Sequence, residues 1–98
     1  MRVLNRTTDE FSSDAVYIGR PGPFGNPFII GRDGDREAVI RQYRVWFDLR
    51  VKGDPKFRAS VEALRGKDLV CFCSPLACHG SVIVEYLEGV MENKLRML

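Results

Sequence analysis

Short apolar runs along the chain predict β-strands, because they are bounded by polar or glycine-rich turns and are rich in residues that favour strands. Three such runs occur, at Val3–Leu4, Ala15–Ile18 and Asp68–Cys73. The third run is almost continuously apolar, which is typical of a strand buried on both faces in the middle of a sheet. The glycine- and proline-rich segment 19–34 predicts irregular backbone, within which Phe28–Ile30 could form a short extended piece.

Apolar residues at intervals of three and four predict helices. Three are expected: about 35–51 after a cap at Asp33 or Asp35, Pro55 to a stop at Gly66 after a cap at Asp54, and about 79–92. The order of elements predicts a small single α/β domain over residues 1–98, with 93–98 as a loosely held tail. Its short central sheet is expected to be mostly parallel, with three to four strands packed by about three helices.

Composition narrows the class of protein without indicating its activity. Of the 98 residues, 45% are hydrophobic and 29% are charged, which is typical of a globular domain. No apolar run is long enough for a membrane helix or a signal peptide, so the prediction is a soluble, cytoplasmic protein without membrane association. The net charge of +2 is too small to indicate a dedicated nucleic-acid binder. The sequence does not indicate the oligomeric state.

All three cysteines and the single histidine lie in the segment CFCSPLACHG, residues 71–80. One hypothesis is a Zn²⁺ site, which irregular backbone could form most easily from Cys73, Cys78 and His79. A second is catalysis at a helix amino terminus, with Cys78 (or Cys73) as nucleophile and His79 as general acid or base. Cys71 is expected to be a small core residue. A Cys73–Cys78 disulfide is sterically possible but disfavoured in a reducing compartment.

The segment GRPGPFGNPF, residues 19–28, is the second candidate for a site, because glycine lets backbone approach a ligand closely. Arg20 directly follows a predicted strand and could bind an anion. Phe24 and Phe28 could stack on a base or pack into the core. Asn26 could recognise polar edges of a ligand, or belong to turn chemistry in Gly25–Pro27.

The two segments and the first predicted helix resemble those of a known protein family. The YIGRPxxFGNPF segment, the helix with Tyr43-Arg44-x-Trp46 and the LRGKDLVCFCSPLACHG segment together resemble a family of small phage and bacterial proteins known as a domain of unknown function. The likeness covers roughly residues 3–87. It implies a phage or prophage origin and a conserved site on Arg20, Asn26, Cys73, Cys78 and His79. A second family is similar in its strand and Cys-His turn, but has Arg where this chain has Gly80.

The leading hypothesis is a pocket for a nucleotide, nucleoside or nucleic-acid fragment, formed where the two segments meet. Arg20 would bind phosphate, Phe24 would stack on the base, and Asn26 would recognise its edge. Cys73 would line the pocket, and Cys78 with His79 would supply chemistry or hold a metal. The alternatives are a structural zinc module without catalysis and a phage protein that binds a host factor.

Overall fold

The structure, a computed structural model, describes residues 1–72, 76 and 78–89. Its elements follow the predicted order: β1 (Val3–Asn5), β2 (Val16–Tyr17), α1 (Arg36–Gly53), α2 (Pro55–Glu62), β3 (Leu69–Cys71) and α3 (Gly80–Glu88). The strands form one three-stranded sheet in the order β1-β3-β2, and both pairings are parallel. The predicted small α/β fold with a parallel sheet and three helices is confirmed.

The central position of β3 explains its continuous apolar pattern, because both of its neighbours pair with it. Leu69 lies opposite Val3 of β1 and Val16 of β2, and all three residues of β3 are buried. Strand β2 is shorter than predicted, although the N–H of Ile18 still donates to the Val70 carbonyl at 2.9 Å. The last predicted residue of the third strand, Cys73, lies outside the described residues.

Helix α1 begins where a side chain satisfies its first exposed amides. Asp35 is the cap, and its carboxylate accepts a hydrogen bond from the N–H of Ala38 at 2.9 Å. Asp33 has another role, since its carboxylate accepts from the N–H of Ile29 at 2.8 Å. That bond closes a turn, so the extended piece predicted at Phe28–Ile30 is wrong.

The other two helices end earlier than predicted. Asp54 caps α2 as expected, accepting from the N–H groups of Lys56 and Phe57. The helix stops at Glu62, because tighter turns follow, in which the amides of Leu64, Arg65 and Lys67 donate to the carbonyl three residues back. Helix α3 stops at Glu88, since Gly89 adopts a left-handed conformation with φ of 73°. Gly89 therefore does not continue the helix as predicted, and residues 90–92 of the predicted extension lie outside the described residues.

Apolar faces of the three helices and β3 form one core. Tyr43 is fully buried at its centre, and its ring contacts those of Trp46, Phe47 and His79. Other buried members are Ile18, Phe24, Val51, Phe57, Val61, Leu64, Leu69, Cys71, Cys78, Val82, Ile83 and Leu87.

A glycine allows α3 to begin directly against the sheet. A Cβ atom on Gly80 would lie 2.9 Å from side-chain carbons of Val3 and Ile18, so a larger residue would push the helix away. The same contact explains why this chain cannot accommodate arginine at position 80 without a shift. The close packing at Gly80 also brings the residues just before α3 to the end of strand β2.

Candidate functional site

A cleft of about 430 Å³ lies where the strands end and α1 begins. Because the strands are parallel, their carboxyl ends meet at one edge of the sheet, which is where α/β folds commonly bind ligands. The cleft brings together the two segments singled out in the sequence, since Arg20 and Asn26 line it with Cys78 and His79. Cys71 lines it as well.

Close backbone packing fixes the loop that carries Arg20. The hydroxyl of Tyr17 donates a hydrogen bond to the Arg20 carbonyl at 3.0 Å, which folds the tyrosine ring back over Gly19. A Cβ atom on Gly19 would lie 2.3 Å from that hydroxyl oxygen, and one on Gly25 would lie 2.9 Å from the Arg20 backbone nitrogen. Both glycines are therefore required by close approach, and they hold Arg20 at the edge of the cleft.

Positive charge dominates the cleft. Arg20 and Arg36 line it, and no aspartate or glutamate is among its lining residues within the described ranges. The side chain of Arg20 is exposed, and no described carboxylate lies within ion-pairing distance of it. The cleft therefore offers an anion a guanidinium that is still hydrated and accessible.

Asn26 uses its amide to organise the loop. Its Nδ2 donates to the carbonyl of Val39 in α1 at 3.2 Å, and its Oδ1 accepts from the N–H of Phe28 at 2.9 Å. The turn chemistry considered from the sequence is therefore present. One amide hydrogen and one oxygen lone pair remain beyond these two bonds, so ligand recognition by Asn26 stays a prediction.

The two phenylalanines of the loop take different places. Phe24 is 6% exposed and packs against Phe57 in the core, with ring centroids 6.0 Å apart. Its carbonyl accepts a hydrogen bond from the Tyr43 hydroxyl at 2.8 Å. Phe28 is half-buried and lines the cleft. Of the two alternatives for Phe24, the structure has the inward one, whereas the Phe28 ring borders the cleft.

His79 is 6% exposed, and both of its ring nitrogens have neighbours. Nε2 lies 2.8 Å from the Ile18 carbonyl, which can only accept, so Nε2 carries the proton. Nδ1 then presents its lone pair to Cys78 Sγ, 3.4 Å away. Burial lowers the pKa of His79, and the Arg20 guanidinium lowers this pKa further. The imidazole is therefore neutral at pH 7, with its basic nitrogen directed at a thiol.

The Cys78 sulfur has several neighbours among the described residues. They include, besides His79 Nδ1, the N–H of Gly80, which donates to Sγ at 3.4 Å, and the sulfur of Cys71 at 3.2 Å. The Gly80 amide is the first of helix α3, so the positive end of the helix dipole also faces this sulfur. These contacts place a hydrogen-bond acceptor and an N–H donor beside the Cys78 sulfur.

The predicted metal set is only partly described. Cys73, predicted both to line the pocket and to ligate zinc, lies outside the described residues. In the part of the chain that the structure describes, no group of three or more His, Cys, Asp or Glu side chains is arranged to hold a metal ion.

The sequence profile of a domain of unknown function, DUF4326, matches residues 3–89. The chain belongs to the DUF4326 family. It is also 33% identical over 97 residues to an uncharacterised 12.4 kDa protein of the nrdA-td intergenic region of Enterobacteria phage T4. That match covers 98% of this chain and 85% of the T4 protein. The resemblance to small phage proteins is thereby confirmed.

No solved structure matches this DUF4326 protein. None of the three described helices combines the length and the apolar character needed to cross a membrane.

Three features of the DUF4326 site have no clear signal in the sequence. The helical pattern of α1 marks Arg36 only as a helix residue, whereas the structure places it in the cleft. The same pattern predicts Tyr43 in the core but gives no sign of its hydroxyl bond to the loop. The apolar run of the third predicted strand does not indicate where the chain turns back. The sequence therefore does not predict that Cys71 and Cys78 lie close together.

Proposed function

We propose that the cleft binds a nucleotide, or a nucleotide-sized part of a nucleic acid, by its phosphate and its base. The observation that carries the proposal is that one cleft, at the carboxyl edge of a parallel sheet, is lined by two arginines and several aromatic rings, with no carboxylate among its described lining residues. A volume of about 430 Å³ is sufficient for a small organic ligand, for which pockets of roughly 300–1,000 Å³ are usual.

Arg20 is the proposed phosphate contact. Its planar guanidinium can form two parallel hydrogen bonds with phosphate oxygens, and its exposed position lets a ligand reach it without breaking an ion pair. Arg36, at the start of α1, also lines the cleft and adds a second positive charge. The absence of lining carboxylates in the described residues means that no like charge opposes the phosphate.

The aromatic rings that line the cleft suit a base. Phe28, Tyr17 and Phe72 line it, and Phe72 is 55% exposed. Stacking of a base on such rings is favourable and tolerates different bases. The unused amide hydrogen of Asn26 is close enough to the same cleft to recognise a polar edge. Phe24 contributes indirectly, since it anchors the loop in the core.

Cys78 and His79 are the residues proposed to act on the bound ligand. The Cys78 thiol transfers its proton to Nδ1 of His79, which leaves a thiolate and an imidazolium. The imidazolium keeps its Nε2–H bond to the Ile18 carbonyl throughout, so the ring does not need to turn. The thiolate is a nucleophile stabilised by the Gly80 amide.

The test is equilibrium binding of nucleoside monophosphates, the matching nucleosides and inorganic phosphate, measured by calorimetry. Arg20→Ala is expected to weaken nucleotide binding at least about tenfold, because a charge-assisted phosphate bond contributes roughly 1.5–3 kcal/mol. Arg41→Ala is the matched control, since Arg41 is an exposed arginine of α1 that does not line this cleft. It is expected to change affinity less than about twofold, as remote surface charges are largely screened.

Equal losses in the two variants would show that binding is general electrostatic attraction rather than recognition in the cleft. No binding of any nucleotide at millimolar concentration would refute the nucleotide proposal. Binding of a host protein would then replace nucleotide binding as the proposed function.

A second candidate is a structural zinc site, favoured by the orientation of His79. A metal-binding histidine commonly donates its second ring N–H to a carbonyl, as Nε2 does to Ile18, and presents the other nitrogen beside a sulfur ligand. Cys78 and His79 would be two ligands, with Cys73 proposed as a third. Near-stoichiometric zinc in tag-free protein, with unfolding on chelation, would support this candidate. Metal-free protein that is equally stable would refute it.

A further inference from the structure

Cys71 and Cys78 form a pair of thiols at the inner wall of the cleft. Their sulfurs are 3.2 Å apart, although the residues belong to different elements, Cys71 to the end of β3 and Cys78 to the segment before α3. A disulfide bond is about 2.0 Å long, so the sulfurs need to approach by only about 1.2 Å. The nucleotide proposal uses Cys78 but gives Cys71 no role.

The surroundings make Cys78 the thiol that reacts first. Its sulfur accepts the Gly80 N–H at the start of α3 and lies 3.4 Å from the unprotonated Nδ1 of His79. A base that can take the thiol proton and an amide that stabilises the thiolate are both in place. Cys71 is 1% exposed, yet it lines the same cleft, so an attacking sulfur at Cys78 has a second thiol directly behind it.

We propose that Cys71 and Cys78 are a reversible redox pair that exchanges with a small disulfide such as oxidised glutathione. The Cys78 thiolate attacks one glutathione sulfur, the glutathione S–S bond breaks, and the leaving thiolate takes the proton held by His79. The Cys71 thiol then attacks Cys78 Sγ of the mixed disulfide and expels the second glutathione as a thiol. Two protein thiols are oxidised and one glutathione disulfide is reduced to two thiols.

This reaction differs from simple glutathionylation in its dependence on the redox buffer. For an internal disulfide, the oxidised-to-reduced ratio follows the glutathione disulfide concentration divided by the square of the thiol concentration. A tenfold change in that quotient is therefore expected to change the protein ratio tenfold. A stable mixed disulfide would instead follow the simple ratio of glutathione disulfide to thiol.

The experiment equilibrates the full-length protein in glutathione buffers, traps the remaining thiols with N-ethylmaleimide and measures the intact mass. The expected product carries no glutathione, has lost about 2 Da before alkylation, and takes up one maleimide instead of three. Trypsin cannot locate the bond, because no lysine or arginine stands between Lys67 and Lys94. Chymotrypsin can, since cleavage after Phe72 separates Cys71 from the other two cysteines and cleavage after Leu76 separates Cys73 from Cys78.

Cys73 is the competing thiol, so Cys73→Ser is the deciding variant. It keeps both members of the pair and is expected to form the disulfide at the same buffer ratio as the wild type. Cys71→Ser is expected to stop at the mixed disulfide. If replacing Cys71 unfolds the protein, the chymotryptic map of the wild type and the Cys73→Ser result still decide the matter.

Three results would overturn the proposal. One is loss of the internal disulfide in Cys73→Ser, which would make Cys73 the true partner. Another is uptake of three maleimides by the wild type at every buffer ratio. The last is stoichiometric zinc in the purified protein with oxidation only after chelation, which would make these thiols ligands rather than a redox pair.

Discussion

The two walls of the cleft satisfy their polar groups in opposite ways. The turn wall, residues 78–80, is buried, and its imidazole is bonded on one side to a carbonyl and directed on the other at a sulfur. The loop wall, residues 19–28, keeps the Arg20 guanidinium exposed, with no described carboxylate in ion-pairing range. One wall is therefore fixed by internal contacts, whereas the other leaves its charge available to a ligand.

The difference follows from the cost of burying polar groups. A buried imidazole without partners would lose its hydrogen bonds to water and gain none in return. One ring nitrogen of His79 therefore acts as a donor and the other as an acceptor. An exposed guanidinium keeps its water and needs no internal partner. Changes to the turn wall should therefore reduce stability, while changes to the charge of the loop wall should affect ligand binding with little effect on folding.

His79→Ala is expected to have the largest effect on stability. It removes a buried ring that contacts Tyr43 and leaves the Ile18 carbonyl without this hydrogen bond. A loss of about 2–4 kcal/mol in unfolding free energy is expected from the cavity and the unpaired acceptor. Urea unfolding followed by circular dichroism measures it. Leu76→Ala, at an exposed apolar residue that precedes the turn wall in the sequence, is the control and should change stability by less than about 0.5 kcal/mol.

Tyr43→Phe is expected to have the next largest effect, because Tyr43 connects the two walls. Its ring packs on His79 while its hydroxyl donates to the Phe24 carbonyl. Removing the hydroxyl leaves a buried carbonyl unpaired at a cost of about 1–3 kcal/mol. Tyr86→Phe is the matched control. Because the Tyr86 ring is partly exposed, this replacement is expected to leave the unfolding free energy nearly unchanged. Equal effects of the two replacements would show that the bond to the loop contributes nothing.

The sequence predicted the fold better than the site, and the reason is local periodicity. The apolar spacing of α1 and the sequence Asp54-Pro55 are local signals, and the structure has both features. Helix ends were less predictable. Gly89 ends α3 through a left-handed conformation, although the apolar pattern alone could continue past it.

Side-chain roles in the site depend on contacts between distant segments, and no local pattern encodes these. Asn26 could be assigned to a turn from its neighbours, but its bond to Val39 required the packing of the loop on α1. Phe24 and Phe28 have the same side chain and lie in the same loop, yet only one of them reaches the core. The meeting of Arg20 with His79 was inferred from the rule that parallel strands end at one edge.

Asn26→Ala tests whether the loop wall depends on its own internal bonds. The change removes one hydrogen bond to the Val39 carbonyl and one from the Phe28 amide. Each such bond contributes about 0.5–1.5 kcal/mol, so a loss of about 1–2 kcal/mol is expected, less than for His79→Ala. The thermal unfolding of Asn26→Ala is compared with that of Thr8→Ala, a change at an exposed residue in another loop. A stability equal to the wild type would mean that the loop does not need this side chain.

The smallest effect on stability is expected for Arg20→Ala, which should change the unfolding free energy at pH 7 by less than about 0.5 kcal/mol. Its effect should appear in the titration of His79, the single histidine, followed by NMR. Burial holds the pKa of His79 below its ordinary value, and the Arg20 guanidinium lowers it further, so Arg20→Ala should raise this pKa part of the way back. Arg41→Ala should leave it unchanged.

The sign of the pH dependence follows from the same titration. The unfolded chain binds a proton at a pKa of about 6.5, whereas the folded protein does so only at lower pH. Stability contributed by neutral His79 is therefore complete above pH 6.5 and decreases as the pH falls towards the folded pKa. Arg20→Ala narrows that interval and should make the protein slightly less sensitive to acid. An identical His79 titration in the wild type and Arg20→Ala would place the guanidinium too far away for the two walls to share one ligand.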